Sequence, residues 1–265
     1  MALCSAGDGP PALLRPKGGW SRDALLEWLK GHAKAGTDLL IGLDLSPALP
    51  FVDCGAYFPG LPHSPPCARA LWRLVDEVAQ GELHLGATSF AEHPDYASYF
   101  RLHGGREGRA FGGGAGRFRL VERRQRAAGV TPVSCFNLVG AAQVGKSSLT
   151  GMRVLHKLGG AVPVWPFDPV PARGPIIVEI YTSIAARTAG VPRGRSKLRD
   201  AESLDLALAV LGSRPHTTLT RYDDHATDAL LTAAWLRHVA DDPDLWQPPG
   251  LDAVRLTEGW TFGAR

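Results

Sequence analysis

Apolar residues along this chain recur in two rhythms, and the rhythm of each stretch predicts its element. Helical spacing marks residues 21–31, where Ser21 is placed to cap and Leu25, Leu26, Trp28 and Leu29 form one stripe. It recurs over 68–80, with Leu71, Trp72, Val75 and Val78 in phase, and over 147–158, which Gly159-Gly160 stops. Two further helices are predicted at 201–211, closed by Gly212, and from about 223 to 239. Unbroken apolar runs predict strands at 39–45 and 176–181, the second bounded by Pro175. Residues 51–58 are expected to pair back as a second strand before Pro59-Gly60 turns the chain, and 83–90 to form a further short one. Residues 133–139 are expected to be extended, 162–173 an extended connection, and 1–19, rich in Gly and Pro, a frayed arm. Neither an internal repeat nor a linker is visible, so a single domain over 20–265 is expected.

Composition narrows this little. With 265 residues and 45% apolar content, the chain can bury a sizeable core. A net charge of +3 permits nucleic acid as a partner without demanding it. Residues 101–126 carry eight arginines against Glu107 and Glu122 and contain Gly112-Gly113-Gly114, which reads as a basic loop running into a helix. The scattered Cys4, Cys54, Cys67 and Cys135 form no Cys-x-x-Cys pair, which argues against a zinc ribbon and for a reducing compartment. No apolar run approaches the ~20 residues needed to span a bilayer. The N-terminus lacks the basic and apolar segments of a signal peptide, so a soluble cytoplasmic protein is expected.

Acidic residues in apolar settings are the candidate chemistry. Asp44 closes the run Leu39-Leu40-Ile41-Gly42-Leu43, and Glu179 sits inside Ile176-Ile177-Val178-Glu179-Ile180. A carboxylate within a buried strand must be neutralised, and a divalent cation or an arginine can each do so. Asp224 and Asp228 open the last long helix four residues apart, on one face, with His225 beside them and an almost wholly apolar run behind. Asp223 or Asp224 serves as an ordinary N-cap; Asp228, one turn in, lacks that explanation. Glu92, before His93-Pro94, is a further candidate acid.

A second pattern competes. Residues 140–147, Gly-Ala-Ala-Gln-Val-Gly-Lys-Ser, fit the phosphate-binding loop G-x-x-x-x-G-K-[ST], in which Lys146 neutralises phosphates and Ser147 holds Mg2+. The loop begins past the middle of the chain, however, and the only partner strand carries Glu179 without an Asp.

Three features together, the first-strand Gly42-x-Asp44, an acidic residue on a later strand and a final helix opening Asp224-His225-x-x-Asp228-Ala-Leu, resemble the ribonuclease-H-like superfamily, particularly RuvC-type resolvases. Gly145-Lys146-Ser147-Ser148-Leu149-Thr150-Gly151-Met152, Trp165-Pro166-Phe167-Asp168 and Val178-Glu179-Ile180-Tyr181 are similar to segments of a domain-of-unknown-function family of predicted nucleases of that fold. The resemblance implies an α/β fold, a mixed central sheet flanked by helices, with an insertion at about 95–174. It also implies a two-metal nuclease using Mg2+ or Mn2+, with Asp44, Asp228 and either Glu179 or Glu92 as ligands and Asp224 or His225 beside them. His225 or Lys146 would then assist proton transfer or charge neutralisation, and arginines at 117–126 and 187–199 would contact DNA or RNA phosphates. A nucleoside-triphosphate-binding enzyme using 140–147 and a non-catalytic binding module of the same fold are the alternatives.

Overall fold

The computed structural model describes residues 1–140, 143–192 and 198–265. Its centre is a parallel pair of strands, β3 (Leu39–Leu43) and β4 (Pro175–Glu179), with Leu43 opposite Glu179. Earlier in the chain, β1 (Ala2–Leu3) and β2 (Ala12–Leu13) form a small antiparallel ribbon. The fold is therefore mixed α/β, and each sheet among the described residues has two strands. Beyond β4, backbone bonds extend the pairing: Trp165 donates to Ile177 at 2.8 Å and Phe262 to Glu179 at 2.9 Å.

Alternation along β4 divides the core. Ile177 faces a cluster with Ile41, Leu43, Trp72, Leu149 and Met152, whereas Ile176, Val178 and Ile180 face one with Leu230, Leu231 and Trp235. Helices α1 (Arg22–Ala35), α2 (Ala68–Val78) and α5 (Val144–Lys157) supply the first cluster. The second comes from α6 (Thr182–Thr188), α7 (Ala201–Val210) and α8 (Asp224–Val239). Full burial contributes roughly 1.5–3 kcal/mol for each large apolar side chain, so the faces of α2, α5 and α8 hold the sheet between them. Between α2 and α5 lie α3 (Thr88–Glu92) and α4 (Leu120–Ala127), and α9 (Pro243–Trp246) follows α8. Arg153 of α5 ties that helix to α2 through Asp76 at 3.0 Å, joined by Lys157 at 2.7 Å.

Several elements follow their sequence signals. Ser21 caps α1, Asp223 caps α8, β3 lies within its predicted run, and β4 overlaps the other, starting one residue earlier at Pro175. Others differ. Helix α1 passes through Gly31 and stops at Gly36, whose φ of 62° needs no Cβ. Residues 51–58 turn instead of pairing, because Phe51 and Val52 give their N–H groups to Glu258 and Phe58 packs among Phe90, Tyr96, Tyr99 and Phe136. Residues 83–90 form a 3-10 turn, Leu83–Leu85, and the start of α3. Residues 133–139 are irregular, bridged only through Asn137 to Arg101. The N-terminal arm is bound, with Arg237 of α8 donating to the carbonyls of Gly7 and Gly9. No helix among the described residues is long and apolar enough to cross a membrane.

Gly42 sets the distance between the sheet and α8. A Cβ there would meet Ile180 Cγ2 at 2.7 Å and Leu236 Cδ1 at 2.8 Å. Gly42→Val should therefore cost about 1–3 kcal/mol in urea unfolding. Gly31→Ala, with open space around an exposed helical position, should gain about 0.5–1 kcal/mol in the same assay.

Candidate active site

Both central strands end at one edge, and parallel sheets commonly bind ligands at their carboxyl ends. Asp44 follows β3, Glu179 closes β4, and a cleft of about 450 Å3 opens over both. Arg119, Glu122 and Thr261 lie in its floor; Val144 and Ser147 of α5, with Ile180, Tyr181 and His225, line its sides.

The floor is a buried ion network. Arg119, 1% exposed, forks onto Glu179, with Nη2 to Oε1 at 2.5 Å and Nη1 to Oε2 at 2.7 Å. Its Nε donates to Glu122 at 2.9 Å, and its remaining hydrogen bonds reach Ser46 Oγ and the Glu258 carbonyl, both at 3.1 Å. The Thr261 hydroxyl adds a bond to Glu179 Oε1 at 2.7 Å. Burial alone would lower the Arg119 pKa, but Glu179 and Glu122 hold it well above the ordinary value. Glu179 is thus neutralised by an arginine and a hydroxyl, and its oxygens are engaged. Its expected role as an open metal ligand gives way to the arginine pairing that the sequence also allowed.

Asp44 is different. It keeps an open edge to solvent, yet burial, then Asp228, then Glu179 push its pKa up to about 6 from 3.8. Asp228 reaches it because α8 packs on β3 and carries Asp228 one turn in from the N-cap. His225 is exposed and lines the same cleft. Asp224, on the same helix, instead pairs with Arg199 at 2.7 Å.

The other expected site residues lie apart. Glu92 is exposed on α3 and lines a separate 280 Å3 cavity with Arg106, so it cannot serve as the middle acid of this cleft. Lys146 is exposed and is not among the lining residues. In the phosphate-loop pattern, residues 141 and 142 lie outside the described residues. No strand precedes it, and Gly145 serves packing: a Cβ there would meet the Cys135 carbonyl at 2.5 Å and the Asn137 carbonyl at 2.9 Å.

The basic stretch is largely structural. Arg117 grips Asp53 through two bonds at 2.7 and 2.8 Å and donates to three loop carbonyls. Arg124 covers Trp260 and Arg126 covers Phe118. Arg187 donates to Gly129, and 193–197 lie outside the described residues. What sequence reasoning missed was the partner of Glu179, together with Gln125 in the cleft wall; apolar patterning names neither.

Among the described residues, no cluster of three or more His, Cys, Asp or Glu side chains is placed to hold a metal ion. Comparison with protein-family models, curated proteins and solved structures finds no match to the chain.

Two measurements probe this site. Arg119→Ala leaves two carboxylates buried without their cation and should cost about 3–5 kcal/mol in urea unfolding. For Asp44, the raised pKa means that ionisation opposes folding: the cost is absent below about pH 4 and grows as pH rises through 6. In EDTA, Asp44→Asn should therefore be more stable than wild type at pH 8, by about 1 kcal/mol once solvent screening is allowed for, and equal to it at pH 4.

Proposed function

We propose that the chain is a metal-dependent nucleic-acid phosphodiesterase of ribonuclease-H-like type, with Asp44 and Asp228 as its metal-holding pair. The observation that carries this reading is that Asp44, just past the carboxyl end of a strand in the parallel pair, has Asp228 on the helix packed against that strand, and Asp228 after burial helps raise Asp44 to about 6. Asp44 directly after one central strand, Glu179 at the end of its parallel neighbour and Asp228 on a late helix are the order of acids on which this reading rests.

The donor set suits Mg2+ or Mn2+, which take one or two protein carboxylates and complete their shell with water and substrate oxygens. Asp44 and Asp228 would hold such a cation and lose their mutual repulsion in doing so, and it would supply positive charge at a phosphodiester oxygen and lower the pKa of an attacking water. Glu179, fixed by Arg119 and Thr261, keeps the strand edge rigid and adds negative potential without ligating. His225, exposed and lining the same cleft, would take or deliver a proton at the leaving oxygen.

The test is hydrolysis of single-stranded, duplex and branched DNA and RNA with Mg2+ or Mn2+. Asp44→Asn and Asp228→Asn should each fall below about one-hundredth of wild type, whereas Lys146→Ala should stay within about twofold. Millimolar Mn2+ should raise the wild-type melting temperature at pH 8 and leave that of Asp44→Asn unmoved. If no substrate is cut and no metal shift occurs, the reading fails.

A further inference from the structure

The cleft wall carries a buried amide whose donor has no hydrogen-bond partner among the described residues. Gln125 of α4 is 6% exposed and lines the cleft, and its Nε2 is enclosed without such a partner. A donor left unmade costs about 1–3 kcal/mol, and a ligand satisfies it once the amide turns its NH2 end to the cleft. Rotation about the last side-chain torsion exchanges the amide's NH2 and carbonyl ends, so the group can offer a donor, an acceptor or both.

The surroundings select the ligand. Asp44, Glu122 and Glu179 against Arg119 leave the cleft net negative, which disfavours an anion beside Gln125. Pro132, Val133, Val144 and Ile180 make the nearby walls apolar, and the half-buried Tyr181 offers a ring. A neutral, flat group with hydrogen-bonding edges fits this combination, and its anionic attachment then lies towards Asp44, where the proposed cation would sit.

The geometry points to a nucleobase subsite: the cleft takes one unstacked base of a single-stranded or locally opened strand, with Gln125 reading its edge and Tyr181 stacking on its face. This rests on the reading of the carboxylate pair as a nucleic-acid site and adds that the nucleotide at that site leaves the stack. Duplex is then bound only where it opens.

Binding under conditions that leave the strand uncut separates the two readings. Fluorescence anisotropy with Ca2+ in place of Mg2+ or Mn2+, with a labelled single-stranded decamer and a series carrying one abasic position in turn, should show about tenfold weaker binding at one position of the series. Gln125→Leu keeps the volume, removes the unmet donor and should melt no lower than wild type, yet bind the intact decamer about five- to tenfold more weakly. Tyr181→Ala should weaken binding similarly, and Tyr181→Phe should not. Equal affinity for intact and abasic strands, or wild-type affinity in Gln125→Leu, overturns the subsite even if metal-dependent cleavage is found. Conversely, base-dependent binding without cleavage upholds the subsite and removes the nuclease.

Discussion

One guanidinium organises this molecule. Arg119 meets the end of the first central strand through Ser46, the end of the second through Glu179, its own helix through Glu122, and the late segment 258–261 through the Glu258 carbonyl. Desolvating such a group is costly, and only a full set of well-aligned acceptors offsets that cost. Each of those segments is therefore held in one register. Glu258 extends the same logic, its carboxylate accepting from the N–H groups of Phe51, Val52 and Leu120. The cleft edge is rigid because the charges beneath it tolerate few other arrangements.

That rigidity separates two acids that the sequence presents alike. Leu43, immediately before Asp44, lies opposite Glu179, so the acids close neighbouring strands at one edge. Glu179 is matched by Arg119 and Thr261, whereas Asp44 receives mainly burial and the repulsion of Asp228. Environment alone ties one into the buried ion network and leaves the other with a raised pKa. Gly42 is the complementary steric device, because only a residue without a side chain lets α8 come close enough to bring Asp228 near.

Much of this was legible before the structure. Ser21 and Asp223 announce helix starts, the period of α2 names its buried face, the apolar run of α8 marks that helix as buried, and Glu179 inside an apolar run declares a charge in need of a partner. Pattern could not say which partner, since Arg119 lies 60 residues away and sits among other arginines that look equivalent in sequence. Residues 51–58 and 83–90 were misread for a related reason. Their aromatic residues satisfy a packed cluster around Phe58 and Phe90, and such a cluster needs apolar side chains but no regular backbone. Nor could pattern say that Gly145 of the phosphate-loop match packs against the carbonyls of Cys135 and Asn137.

The same network shapes how the chain must be made. Ribosomes release residues in order, at roughly 5–20 per second. β3 emerges long before β4, and Arg119 precedes both Glu179 and Thr261. The nascent chain therefore carries a strand without a mate and a cation that has Ser46 and Glu122 but lacks Glu179 and the Glu258 carbonyl for several seconds. The last acceptors arrive with the 258–264 segment, in which Trp260 and Phe262 are wholly enclosed.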